Sequence, residues 1–378
     1  MSPLASLSRR LSALEGRSRR RVLSAREGVD FASNDYLGLA SDPAIAIAIA
    51  EAAARGVPAG SGGSRLLRGN APEHEALEEK AARFFGAEAA LFFGSGFSAN
   101  AALLATLPQP GDLIVADDLI HASVHEGMRL TRAAHVLAKH GDAAAVEDAI
   151  VQWRSGGGKG TPWIAVESVY SMDGDIAPLA ELLAIADRHE GVLVVDEAHG
   201  TGVFGPGGRG LAAPFEGREN VIVLHTCGKA MGTEGALITG PAIVKDYLVN
   251  KARGFIFSTS PSPLIAVAVS AAIDRIEQAD DLRADLDVLR VHAGRVLCAP
   301  LGLPEPVSPI VPIILGSDKR TMAAAAALQA AGFDIRGIRP PTVPSGTARL
   351  RVTLTLNATA ADIDALVPVL QQALEANP

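Results

Sequence analysis

One apolar strand ends in an acid, and that ending constrains the chain more than any other feature. Residues 192–199 read VLVVDEAH, four buried-type side chains followed by Asp196, Glu197, Ala198 and His199. Further short apolar runs lie at Leu113–Ala116, Trp163–Val166 and Val221–His225. Continuous apolar runs of this length suit strands covered on both faces, as in a parallel sheet. Between two of them, residues 178–189 (PLAELLAIADRH) carry the i, i+3, i+4 spacing of a crossover helix. Helical spacing is also expected over Pro72–Phe85, from Gly94 onward, from Ile265 to Ile276 and from Leu282 to Val296. Asp42-Pro43 is a good start for a helix through the Ala-Ile run that follows. The last hundred residues change rhythm. Three strand-like runs (309–315, 333–339 and 348–355) flank an Ala-rich helix at Met322–Ala331, and a final helix spans 361–376. The expected fold is α/β, with a mostly parallel sheet in a large domain (41–275), a smaller C-terminal α+β domain (276–378) and an N-terminal helix and strand segment (1–40).

With 378 residues, the chain can bury a large core. It has 34 Lys and Arg against 42 Asp and Glu, a net charge of −8, which argues against nucleic-acid binding. Its two cysteines, Cys227 and Cys298, have no metal-ligand spacing and form no disulfide framework, which suits the cytoplasm. No apolar run approaches the roughly 20 residues that cross a bilayer. The basic N-terminus resembles a transit peptide only faintly. An amphipathic helix with Leu4, Leu7, Leu11 and Leu14 on one face is the preferred reading.

Three familiar strings fail on inspection. DEAH belongs to a class of ATPases, but both Gly-Lys pairs, 158–159 and 228–229, lack the upstream Gly and following Ser or Thr of a phosphate loop. Residues 200–205 (GTGVFG) match G-x-G-x-x-G, yet Pro206, Gly207 and Gly208 leave no helix to receive a pyrophosphate. His121 and His125 lie four apart, but Ala122 stands where a zincin has Glu, and no metal is expected.

A different chemistry accounts for the acid. Lys229 lies 33 residues after Asp196, between small residues in HTCGKAMG (225–232). A lysine amine that condenses with an aldehyde, a carboxylate that keeps a pyridine nitrogen protonated, and a histidine against the ring are the parts of a pyridoxal phosphate site. GSGFSAN (94–100) adds a turn that opens a helix, a seat for a phosphate. VESVYSMDGD (166–175) follows a buried strand at the sheet's carboxyl end, where Ser171 or Asp173 is placed to reach a ligand.

These segments occur in an order and spacing that resemble a known family. FASNDYLGL (31–39), GSGGSR (60–65), GSGFSAN (94–100), HAS (121–123), SMDGD (171–175), DEAHGTGVFG (196–205), TCGK (226–229) and FSTSPSP (257–263) are similar to those of the α-oxoamine synthases. These are fold type I pyridoxal phosphate enzymes that join an amino acid to an acyl thioester. The resemblance implies that sheet to be seven-stranded. The ending IRPPTVPSGTARLRVTLT (338–355) looks most like the biotin-pathway branch. The alternatives are the 5-aminolevulinate, 2-amino-3-oxobutyrate and serine palmitoyltransferase branches, or an aminotransferase of the same fold.

The resemblance implies roles by position. Lys229 holds the cofactor and moves the substrate's α-proton, Asp196 meets the ring nitrogen, His199 the ring oxygen, and His121 stacks on the ring. Ser171, Thr226 and the backbone of Gly96 and Phe97 contact the cofactor's oxygens. Ser258 and Thr259 reach the phosphate of a second subunit, since the family builds its site across a homodimer interface. Arg351 holds the amino-acid carboxylate, with Asn34 and Thr342 lining the substrate space. An Arg in the N-terminal helix meets the far end of the acyl group, placed at Arg19 with Arg20 and Arg21 as alternatives. L-alanine and a pimeloyl thioester are the implied substrates. Cys227 is assigned packing only, and Glu234 either the dimer partner or the acyl channel.

Overall fold

The computed structural model describes residues 3–376. Its strands are β1 (Val29–Asp30), β2 (Ala89–Phe93), β3 (Leu113–Asp117), β4 (Ala134–Ala138), β5 (Pro162–Glu167), β6 (Val192–Asp196), β7 (Val221–Thr226), β8 (Ala236–Gly240), β9 (Ile310–Gly316), β10 (Phe333–Asp334), β11 (Arg336–Ile338) and β12 (Ala348–Thr353). The chain forms two compact units.

The larger unit comprises residues 37–171 and 176–283. Among its described residues lies a seven-stranded sheet in the order β2-β8-β7-β6-β5-β3-β4. β8 alone runs antiparallel to its neighbours β2 and β7, and the other pairings are parallel. The central strands are apolar because helices cover both faces. Leu193 and Val195 point into one core cluster with Ile164, Leu182 and Ile150, while Val194 points into the other with Leu103, Ile114 and Ile222. Pro72–Phe85 is helical over that whole range and ends at Gly86 in the left-handed region. Asp42 starts the next-earlier helix, Pro43–Ala54, accepting the Ala44 N–H at 2.7 Å. The crossover helix is Leu179–Arg188.

Among the described residues, the smaller unit comprises 3–36, 172–175 and 284–376. Its antiparallel sheet has the order β11-β12-β9, with helices Asp318–Ala330 and Ala360–Glu375. β1 joins this unit by pairing parallel to β10. The inserted turn is held by Arg349, which donates to the Asp173 carboxylate at 2.5 Å and to the Met172 carbonyl. Asp173 is thus committed to an ion pair rather than to a ligand. The first helix, Ala5–Gly16, forms as expected but buries none of its residues, and Leu4, Leu7, Leu11 and Leu14 are all exposed. Among the described residues, no helix is long and apolar enough to cross a membrane.

Candidate active site

The carboxyl ends of β5, β6 and β7 open onto a cavity of about 330 Å³ in the larger unit. Its wall includes Gly96, Phe97, His121, Asp196, Thr226 and Lys229. That is the volume and strand-end position of a small-ligand pocket in an α/β sheet. Six of the residues expected at a cofactor therefore share one wall.

Lys229 is placed by a hairpin. The chain turns from β7 to β8 with the Cys227 N–H on the Gly235 carbonyl, Thr233 on Cys227 and Gly232 on Lys229, at 2.8–2.9 Å. Cys227 is buried beneath this turn, and burial pushes its thiol far up, which leaves it inert packing as expected. The Lys229 Nζ lies 2.8 Å from the His199 Nε2. His199 is itself buried.

Asp196 is held on both oxygens. Asn100 donates to Oδ2 at 2.7 Å, and the Ala198 N–H donates to Oδ1 at 2.9 Å. Asn100 also donates to the Ser123 hydroxyl at 3.0 Å, and that hydroxyl lies 2.7 Å from the His121 Nδ1. The Ser123 N–H donates to the same ring nitrogen, so Nδ1 is the acceptor and the proton of the neutral ring sits on Nε2. Burial lowers the His121 pKa, Asp196 opposes this, and Lys229 and His125 reinforce it. A neutral ring suits stacking. One chain of polar contacts thus joins the strand-end acid to the histidine. Asn100 lies in a segment whose signal was read, yet its role was missed because only the fold brings it to Asp196.

Gly96 begins the helix Gly96–Thr106, and the Ser95 hydroxyl caps it by accepting from the Ser98 N–H at 3.1 Å. A Cβ on Gly96 would stand 2.6 Å from the Thr226 Cγ2, so only glycine lets the helix start this close to β7. Gly96 and Phe97, in the first turn at the positive end of the helix, line this end of the cavity together with Thr226. That donor set fits a phosphate.

Glu167 also lines the cavity and was not anticipated. It ends β5 opposite Asp196 in register, a strand-end placement that was legible once the two strands were paired. Ser171 donates its backbone N–H to Glu167 Oε2 at 3.0 Å. Ser258 and Thr259 are exposed and line an adjoining cavity of about 390 Å³, and Glu234 borders both cavities.

The remaining expected residues lie in the smaller unit. Arg351 is buried on β12 and donates to the Thr353 hydroxyl at 2.7 Å, and the Tyr36 hydroxyl donates to the Asn34 side-chain oxygen at 3.4 Å. The three arginines follow the first helix rather than lying in it, because the helix ends at Gly16. Arg19 is engaged by Asp318 at 2.5 Å and Arg20 by Glu15 at 3.0 Å, whereas Arg21 donates to the Thr342 hydroxyl at 3.1 Å.

Aminotransferase class I and II is the family that matches, over residues 26–370. An 8-amino-7-oxononanoate synthase of Azoarcus sp. (strain BH72) is 42% identical over 96% of this chain and 95% of its own length. The chain belongs to the 8-amino-7-oxononanoate synthases, within the class I and II aminotransferases. A solved structure of SPT with PLP is 26% identical, with a TM-score of 0.89, over 100% of this chain and 99% of that one. The 8-amino-7-oxononanoate synthase of Francisella tularensis is 29% identical, with a TM-score of 0.78, over 92% of this chain and 98% of that one. The fold is therefore that of the fold type I pyridoxal phosphate transferases, as expected, and the cofactor is pyridoxal phosphate. The cavity fits that group: an amine at Lys229, a fully hydrogen-bonded carboxylate at Asp196 and a phosphate seat at Gly96.

Proposed function

We propose that this protein condenses L-alanine with a pimeloyl thioester, giving 8-amino-7-oxononanoate, CO₂ and the free thiol, a step of biotin synthesis in the cytoplasm. The observation that carries the reading is the Lys229–His199 contact of 2.8 Å on the same cavity as Asp196. Bound pyridoxal phosphate supplies an aldehyde and an electron-withdrawing ring. Asp196, fixed by Asn100 and the Ala198 N–H, keeps a proton on the ring nitrogen. Lys229 Nζ takes the α-proton of alanine and later returns a proton to the same carbon. His199 Nε2 holds the lysine in place between these transfers. His121, neutral, covers the ring face and excludes water.

We assign Arg351 to the alanine carboxylate, which guanidinium geometry suits, with Asn34 beside it. Arg21 takes the role first placed at Arg19. Arg19 is already neutralised by Asp318, while Arg21 shares its donors with Thr342 and has charge to offer a terminal carboxylate. Ser258, Thr259 and Glu234 are assigned to a homodimer interface, with Ser258 and Thr259 meeting the second subunit's phosphate. The sister branch that makes serine adducts has the higher fold similarity, but the 42% identity over the chain favours the alanine reaction. Thiol release decides between them. Release from pimeloyl-CoA with L-alanine, and none from palmitoyl-CoA with L-serine or from succinyl-CoA with glycine, is the expected result; the reverse pattern would overturn the assignment.

A further inference from the structure

The cavity contains a second carboxylate that these roles leave unused. Glu167 and Asp196 end neighbouring parallel strands in register, and both are buried. Their surroundings differ. Asp196 has a hydrogen bond to each oxygen, from Asn100 and from the Ala198 N–H. Glu167 accepts the Ser171 N–H on Oε2 and is also hydrogen-bonded by the Ser171 side chain, while its Oε1 is buried with no hydrogen-bond partner. Two carboxylates at adjacent in-register strand ends do not both ionise, and the one with both oxygens hydrogen-bonded keeps the charge. That assigns the anion to Asp196 and a proton to Glu167. Since Oε2 accepts from Ser171, the proton belongs on Oε1, which lacks an acceptor within the protein. The acceptor must then come from whatever fills the cavity.

Pyridoxal phosphate offers few choices. Its ring nitrogen is committed to Asp196, its aldehyde to Lys229 and its phosphate to the Gly96 turn and Thr226. The ring hydroxyl oxygen, which the resemblance gives to His199, has a second lone pair to offer. We propose that Glu167 is a neutral carboxylic acid whose Oε1–H donates to the ring hydroxyl oxygen of bound pyridoxal phosphate. Glu167 then holds the ring beside His199 while adding no second negative charge next to Asp196.

The charged and titratable groups around it agree with this state. Burial, then Asp196, push the Glu167 carboxyl up to about 8, with Lys229 and Ser171 opposing. His199 faces the lysine, and His121 and the exposed Glu234 line the same cavity. Glu197, just past the end of β6, is turned away toward Ser168 and Ala212. Above about pH 8 the donor becomes an anion facing an electron-rich oxygen, and the cofactor is repelled.

The test uses the full-length protein, with and without pyridoxal phosphate, and the isosteric Glu167→Gln, which keeps both an acceptor for Ser171 and a donor for the cavity. Wild type minus variant, at pH 7 and without cofactor, is expected to show the infrared carbonyl band of a protonated carboxyl. The band should move to lower frequency when pyridoxal phosphate binds. The wild-type dissociation constant for pyridoxal phosphate, relative to the variant's, should rise about tenfold between pH 7 and 9, the effect of one linked proton. If no carboxyl band appears, Glu167 is ionised and the proposal fails. If the band is present but unmoved by the cofactor, and the ratio is flat, the donor role fails while the cofactor assignment stands. Should the variant not fold, the band's response in the wild type, followed across pH, decides by itself. A wild type that binds no pyridoxal phosphate would overturn the cofactor assignment first, and the proposal with it.

Discussion

Lys229 and His199 were legible as chemistry before they were legible as neighbours. Their 30-residue separation closes to 2.8 Å because β6 and β7 are adjacent and parallel, so the segments following both strands open onto the same end of the sheet. Replacing Lys229 with Ala is expected to abolish turnover and the visible absorbance of covalently held cofactor; spectra and thiol release check both. The N-terminal arginines separate by partner. Arg21→Ala should raise KM for the pimeloyl thioester about tenfold or more, as loss of a charge-assisted bond implies, with kcat little changed. Arg19→Ala removes the Asp318 ion pair and should appear in melting temperature instead. Steady-state kinetics and thermal melts on both variants distinguish the two. Glu167 and Asn100 escaped the sequence reading for one reason. A polar side chain announces its role only through its surroundings, and Asp196, the strand neighbour of Glu167 and the hydrogen-bond partner of Asn100, is 29 and 96 positions away.

At the scale of elements, local chemistry carried most of the boundaries. Asp42-Pro43 starts a helix because the carboxylate takes an unpaired N–H and proline needs none, and Pro72–Phe85 ends where Gly86 tolerates a positive φ. Asp42→Ala is expected to cost about 1 kcal/mol from the lost cap, plus the Arg275 contact at 3.0 Å, read from urea denaturation midpoints. Gly96→Ala should act on the site rather than on stability alone. The added Cβ displaces the helix start from Thr226, and cofactor affinity, measured by titration, should fall. The strands β2, β4 and β8 were not anticipated. β4 pairs only with β3 at the sheet edge and leaves most of its side chains exposed, so it carries no buried run. β8 is apolar and fully buried, but its antiparallel place between β2 and β7 depends on pairings remote in sequence.

At the scale of the whole molecule, buried acids set the pH dependence. Burial pushes Glu197 up to about 7, although the Ser168 hydroxyl and the Ala212 N–H both donate to it, and Glu167 lies near 8. Both values exceed the unfolded value of about 4.5, so the folded chain retains protons that the unfolded chain releases. Their contribution to stability is complete below about pH 4.5 and is lost as pH rises through 7 to 8. Glu197→Gln should flatten that decline between pH 5 and 7, seen as unfolding midpoints at a series of pH values; an unchanged slope would remove Glu197 from this role. The sequence by itself determined the class of fold, and the resemblance of its motifs implied the cofactor, the reaction and the lysine, acid and histidine expected to carry it. Those follow from hydrophobic period, turn chemistry and the order of short motifs, all of which are local. Tertiary structure alone decided that Asp173 is paired with Arg349, that Arg21 rather than Arg19 meets Thr342, and that Asn100 holds Asp196. Each of those outcomes depends on burial and on a partner distant in the chain, and neither quantity exists until the sheet is assembled.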